Sequence, residues 1–368
     1  MTNTNDVLLS PWKLAGLPLR NRLAVAPMTR VSATRDGMPT DVMVRYYERF
    51  ARGGFGLVLT EGLYTDQAWS QGYPCQPGLS SDSQAQAWAD LVQRLQGHGT
   101  GVIAQIMHSG ALVQGNRFRA DTLAPSAIQP AGEQLSIYHG QGRYATPMAM
   151  TDEQIADVIA GFAQAAGRAI IRSGFDGVEL HGANGYLLDQ FLSSQSNQRT
   201  DRWGGSVRQR MALILEIVKS ARAAMGGRGL LGVRISQSKV NDFHARWSGG
   251  EADAETIFGS LADSGVDYIH TTDYKAWTPA FTSSPLSLAR AARRYAPRTF
   301  LIANGDLHHF EHARALLETT ADVAAIGKAA LANPDLPLKL AAGKTIAEFS
   351  QDMLTPIASI RDSELVES

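Results

Sequence analysis

Eight short runs of aliphatic residues recur along this 368-residue chain, and each leads, after a loop, into a longer segment with helical periodicity. The runs are Arg22 to Pro27, Gly56 to Glu61, Val102 to Met107, Asp176 to Leu180, Leu230 to Ile235, Val266 to His270, Thr299 to Ala303 and Asp322 to Ile326. Short Val/Ile/Leu-rich runs alternating with helical stretches are what parallel strands covered by helices require. The helical stretches are Asp41 to Arg52, Asp82 to Gly97, Thr151 to Arg172, Val207 to Met225, Asp253 to Ser264, Pro285 to Tyr295, His309 to Glu318 and Ala329 to Ala342. Several open on an N-cap residue, as Thr151 does with Glu153 and Gln154 behind it. The fold class is α/β.

Eight such units with no Pro- or Ser-rich linker between them favour a closed (β/α)8 TIM barrel over an open doubly wound sheet with a second domain. We therefore expect residues 1–368 to form a single domain. The extra length falls after the third strand, where residues 108–147 scatter Gly, Pro and Ser and show little helical period. That is too long for an ordinary connection and predicts a lid or capping insertion. Hydrophobic residues at 44% and charged residues at 19% suit a globular chain. A net charge of −1 gives no electrostatic reason to expect nucleic acid or an anionic membrane as partner. The one cysteine, Cys75, precludes an internal disulfide and a cysteine-ligated cluster. With no leader-like start and no apolar run near the roughly 18 residues that span a bilayer, the expected address is the cytoplasm.

Active sites of such barrels form at the C-terminal strand ends, where this chain concentrates polar residues. Strand one ends at Thr29, strand three carries Gln105 and leads to His108, strand four runs into His181, Asn184 and Tyr186, and strand five contains Arg234. A neutral imidazole and a carboxamide can both donate to one carbonyl or nitro oxygen, and a phenol can deliver a proton without a standing charge. His181 and Asn184 could equally satisfy backbone groups in a tight turn. Arg234, inside an otherwise apolar strand, needs a partner, either a core carboxylate such as Glu179 or an anionic ligand. Gln105 could serve a heteroaromatic edge or a neighbouring strand end, and His108 a ligand or the surface. Strands seven and eight end in Asn304-Gly305-Asp306 and Ile326-Gly327-Lys328, a matched pair of glycine turns with a lysine that suits a phosphate-bearing cofactor. Gly227 to Gly232 has G-x-G-x-x-G spacing, yet it leads from a helix into a strand, the reverse of a dinucleotide fingerprint.

Taken together these stretches resemble the old yellow enzyme family, FMN-dependent ene-reductases on a (β/α)8 barrel. The resemblance rests on Leu19 to Arg30, Gln71-Gly-Tyr-Pro74, His181-Gly-Ala-Asn-Gly-Tyr186-Leu-Leu-Asp-Gln-Phe191, Asn197 to Ser206, Gly327 and Asn333-Pro-Asp-Leu336. It implies that Ala26, Pro27, Thr29, Gly62, Gln105 and Arg234 line the flavin, and that Gly305, Asp306, Gly327 and Lys328 hold its phosphate. It further implies that His181 and Asn184 grip the activating oxygen of an alkene and that Tyr186 protonates the carbon α to it. Tyr274 and Trp277, in the loop after strand six, either shape the substrate pocket or belong to a plain surface loop. The cofactors implied are tightly bound FMN with NAD(P)H as co-substrate, acting by a ping-pong cycle on enones, enals, maleimides or nitroalkenes, and the assembly suggested is a homodimer.

Three departures from the family pattern stand out. Lys328 replaces the usual phosphate-binding arginine and loses its bidentate fork. Ser109-Gly110-Ala111 replaces the usual Ala-Gly-Arg. Thr29 places the chain with the threonine-bearing members. A barrel aldolase or a metal hydrolase is the competing class, but no predicted strand interior carries a lysine and no His-x-His pair starts a metal site, so no metal is expected. A non-catalytic flavin-binding protein would leave Tyr186 without a purpose.

Overall fold

The computed structural model describes residues 6–365. Eight parallel strands follow one another around a closed sheet: β1 (Leu23–Val25), β2 (Leu57–Leu59), β3 (Gly101–Met107), β4 (Gly177–Asn184), β5 (Leu230–Lys239), β6 (Tyr268–Thr272), β7 (Phe300–Asn304) and β8 (Val323–Ile326). Closure is made by β8 on β1, with Ile326 opposite Val25. The strands are buried along nearly their whole length, which explains their continuous apolar runs. A hairpin, Trp12–Leu14 with Leu17–Leu19, floors the barrel: Leu14 and Leu19 join Leu57, Ile103, Tyr268, Ile302 and Val323 in one cluster.

The surrounding helices begin where the caps predict. Thr151 and Gln154 form a reciprocal capping box at Asp152–Ile171, as Ser81 and Gln84 do at Asp82–Gly97. Most element ends lie within two residues of the sequence reading, as at Glu251–Asp263 where Asp253 to Ser264 is expected, and three helices depart further. The stretch from Val207 is interrupted at Met211, whose dihedrals stay helical, into Val207–Arg210 and Ala212–Ala224. The last stretch divides into Lys328–Ala332 and Leu336–Ala341, because Pro334 excludes Asn333 from the helical region (φ −139°, ψ 80°). The helix expected from Pro285 starts at Leu288, capped by Ser287.

Between β3 and Asp152 the chain has little regular structure. It holds single 3-10 turns at Gly110–Leu112 and Ser136–Tyr138, and a short strand, Leu123–Ala124, that pairs in parallel with Met148–Ala149. The G-x-G-x-x-G segment does run from a helix into β5, with Gly227 and Gly229 in left-handed turns. Among the described residues no helix is long and apolar enough to cross a membrane.

Candidate active site

Strand register sets the polar layer at the mouth. Arg234 on β5 stands between His181 on β4 and His270 on β6, while Gln105 on β3 is level with Glu179 on β4. The Glu179 carboxylate accepts from Gln105 Nε2 (2.8 Å), the Tyr268 hydroxyl (3.2 Å) and His270 Nδ1 (2.9 Å). Burial alone would raise that carboxyl, but His270, Arg234 and Gln105 together hold it below its usual value. With Glu179 so occupied, the direct ion pair considered for Arg234 does not form. Arg234 Nη2 donates instead to Thr272 Oγ1 (3.2 Å) and Asn304 Oδ1 (2.9 Å), and its buried Nε has no partner. A buried guanidinium with an unspent N–H is costly unless a ligand supplies the acceptor.

Above this layer lies a cavity of about 280 Å³, close to the lower end of the range for small-molecule sites. Ala26, Pro27 and Thr29 from the end of β1, Gly62 after β2, and Gln105 line one part of it. His181, Asn184, Tyr186, Arg234, Gly327 and Lys328 line the rest. Gly305, Asp306 and Tyr274 face an adjoining cavity of about 330 Å³, which shares Asn184, Asn304, Gly327 and Lys328 with the first. The structure thus gathers every predicted site residue into two connected spaces, with Tyr274 at the rim, 69% exposed.

Two glycines are required by close approach. A Cβ on Gly62 would lie 2.1 Å from Met107 Sδ, and one on Gly305 (φ 136°) 2.1 Å from the Asp273 carbonyl oxygen. Gly327 opens the short helix Lys328–Ala332, and the Lys328 ammonium stands 5.8 Å over the Phe349 ring.

The His181 and Tyr186 rings meet edge to face at 4.9 Å. Burial, reinforced by the nearby Arg234 and His270, pushes His181 well below its ordinary value, so the ring is neutral near pH 7 and its Nδ1 is buried without a partner. Burial likewise raises Tyr186, outweighing the opposing effects of Tyr73 and Arg234, so the phenol keeps its proton. Its hydroxyl hydrogen-bonds that of Tyr73, whose ring lies 4.9 Å from Tyr138. Tyr73 belongs to the Gln71-Gly-Tyr-Pro stretch, so the motif was visible while the contact was not. Tyr138 and Leu135 line the cavity from the segment after β3. Thr272 carries no signal in the sequence, and Asn304 stands there only as the end of a glycine turn, its contact with Arg234 unseen. His108 is neither surface nor cavity lining: it is buried, and its Nδ1 accepts from the Gly110 N–H (3.0 Å) to fix a turn.

Behind the lining sits a second network. Arg30, fully buried, donates Nη1 and Nη2 to the Glu364 carboxylate (2.9 and 2.5 Å) and Nε to the Ala358 carbonyl (2.9 Å). Arg49 adds a contact to Glu364 at 3.2 Å, and Leu354 of this C-terminal segment reaches the cavity. The Arg30 N–H donates to Glu61 Oε2 (2.9 Å), directly before Gly62.

Comparison with known proteins locates this arrangement. Residues 7–346 match the profile of the NADH:flavin oxidoreductase / NADH oxidase family. A probable flavin mononucleotide-dependent alkene reductase of Leishmania infantum is 32% identical over 92% of this chain and 91% of its own length. The NADH:fumarate oxidoreductase of Klebsiella pneumoniae (strain 342) is also 32% identical, over 94% of this chain, which spans only 37% of that protein. The solved old yellow enzyme homologue from Zymomonas mobilis superposes with a TM-score of 0.86 at 28% identity, covering 97% of this chain and 98% of that one.

Proposed function

Because the chain belongs to the NADH:flavin oxidoreductase / NADH oxidase family and matches its old yellow enzyme homologues across nearly its whole length, we propose that it is an FMN-dependent ene-reductase using NAD(P)H to reduce the C=C bond of activated alkenes. The observation that carries this reading is Arg234: a buried cation, not paired to the core carboxylate, with an unpartnered Nε and a place in the lining of a cavity that adjoins two glycine turns.

The residues present fit FMN. Gln105 commits Nε2 to Glu179 and keeps its amide oxygen for the pyrimidine edge. Arg234 supplies charge where the reduced ring collects its negative charge, and Thr29 supplies a hydroxyl from the end of β1. The Gly305 and Gly327 turns offer backbone N–H groups, and Lys328 a cation, to the phosphate. When bound, FMN would supply hydride transfer between NAD(P)H and the alkene.

The chain's own residues do the rest. Neutral His181 and the Asn184 carboxamide donate to the activating oxygen of an enone, enal, maleimide or nitroalkene and draw electron density away from the β-carbon. Tyr186, held protonated by burial and steadied by Tyr73, gives its proton to the α-carbon. Leu135 and Tyr138 make the segment 108–147 a wall over the cavity, the capping role we assign it. Nicotinamide and alkene use the same space in turn, which is a ping-pong cycle.

The test is the visible spectrum of the purified protein under anaerobic conditions. A flavin spectrum that bleaches with NADPH and returns with cyclohexenone or N-ethylmaleimide establishes cofactor and reaction together. Bleaching without return on any alkene leaves a flavin-binding protein, and a colourless protein that takes up no FMN defeats the reading.

A further inference from the structure

The loop after β7 and the first turn of the helix Phe310–Thr319 read Asp306-Leu-His308-His309-Phe-Glu311-His312, five metal-ligand side chains in seven residues, three of them among the chain's nine histidines. One donor atom each from Asp306, His308 and His309 lies within 4.8 Å of the others. His308 Nδ1 stands 3.0 Å from Asp306 Oδ1, and His309 Nε2 stands 3.9 Å from Oδ2. Bonds of about 2.0–2.2 Å to a tetrahedral ion put neighbouring donors about 3.4 Å apart. These spacings bracket that value, and the two imidazoles are 41% and 50% exposed.

The surroundings fix the group. Asp306 occupies the left-handed region (φ 54°) directly after Gly305, which is wedged against the Asp273 carbonyl. Trp277 stacks on His312 at 3.9 Å and meets His309 edge-on at 6.0 Å. Glu311 lies 4.0 Å from His309 Nδ1. Asp306 and His308 both face the cavity that holds Gly305, Gly327 and Lys328. A carboxylate turned toward a phosphate site is repulsive unless a cation stands between them.

We propose that Asp306, His308 and His309 bind a divalent transition-metal ion of the zinc class, its fourth position open to the glycine-turn cavity. Two imidazoles with one carboxylate select Zn²⁺, Ni²⁺ or Cu²⁺ over Mg²⁺ or Ca²⁺, which prefer all-oxygen shells. The fourth ligand is a phosphate oxygen, so the ion supplies the second positive charge that Lys328 alone lacks. That last clause rests on the FMN reading, whereas the metal site does not.

The experiment titrates ZnCl₂ into chelator-treated, desalted holoenzyme by isothermal calorimetry, with MgCl₂ as the hard-ion control. One equivalent of Zn²⁺ is expected, with His308→Ala and His309→Ala each weakening it at least tenfold and His98→Ala, before β3 at the other end of the barrel, leaving it unchanged. Circular dichroism shows that each variant is folded. An isotherm without a one-to-one site, or one that the His308→Ala/His309→Ala double variant does not alter, overturns the proposal. Zn²⁺ is also expected to slow loss of FMN on dilution and not loss of riboflavin; equal effects on both refute the phosphate ligand. Protein that takes up no FMN yet binds Zn²⁺ through these residues separates failure of the flavin reading from failure of this one.

Discussion

Replacing Glu61 by glutamine tests the electrostatics beneath the cavity floor. The carboxyl is buried, and burial pushes it up to about 7 against the hydrogen bonds from the Arg30 N–H (2.9 Å) and the Tyr47 hydroxyl (3.3 Å). Its nearest cation, Arg30, spends its guanidinium on Glu364 and the C-terminal carbonyls. A rise of about 2.5 above the reference value of 4.5 corresponds to about 3 kcal/mol at 1.36 kcal/mol per unit. The folded-state value is raised, so stability is greatest below the unfolded value and is lost as pH climbs through the folded one. The cost of ionisation is about 1 kcal/mol at pH 5 and about 3 kcal/mol at pH 8. Glutamine keeps the shape, accepts from Arg30 and can donate to Tyr47, without titrating. Glu61→Gln is therefore expected to gain about 2 kcal/mol on the native chain between pH 5 and pH 8, about 3 °C in Tm for a chain of this size. Urea midpoints, or thermal melts at matched scan rate, at pH 5, 6.5 and 8 measure it. A Glu61→Gln variant less stable than the native chain by the same margin at every pH would refute the reasoning, because it would mean that the carboxylate is ionised and satisfied throughout.

The site yields three further expectations. Tyr186→Phe slows return of the flavin spectrum by alkene about 10²–10⁴-fold and leaves bleaching by NADPH unchanged in stopped flow, and the native alkene step is flat from pH 6 to 9 because the phenol stays protonated; equal slowing of both halves removes Tyr186 from its role. Arg234→Gln raises the Kd for FMN at least tenfold, about 1.4 kcal/mol, by fluorescence titration, and an unchanged Kd means that the guanidinium does not face the flavin. Glu364→Gln strands the buried Arg30 and costs about 3 kcal/mol in the denaturation midpoint, whereas a shift near zero marks the pair as solvated.

The barrel was legible because each strand is buried on both faces, so that its hydrophobic run survives in the sequence, and because caps such as Thr151 and Ser81 act over three residues. Helix ends failed where a local rule was left unapplied, as at Pro334, or had no local signal, as at Met211. In the site, His181, Asn184 and Tyr186 were readable since they follow one strand. The contacts of Tyr73, Tyr138 and Asn304 were not, because their partners lie far off in sequence: the Tyr73–Tyr186 contact joins residues 113 apart, and Arg234 and Asn304 are separated by 70. Both readings of Arg234 were open until the register gave Glu179 to Gln105, Tyr268 and His270. A His-x-His template also passed over the His308-His309 pair, whose carboxylate precedes it in the same turn.

The Arg30–Glu364 contact has a consequence for synthesis. The stretch that lines the cavity, Ala26 to Arg30, leaves the ribosome well before its buried counter-charge, which lies 334 residues later. β1 waits in the same way for β8. Until that late segment emerges, an unfinished chain carries an arginine it can neither bury cheaply nor neutralise, and the cavity wall that Leu354 provides is missing. Assembly of the pocket therefore waits for the segment from Leu354 to Glu364, and chains cut short before it are expected to be poor at retaining cofactor.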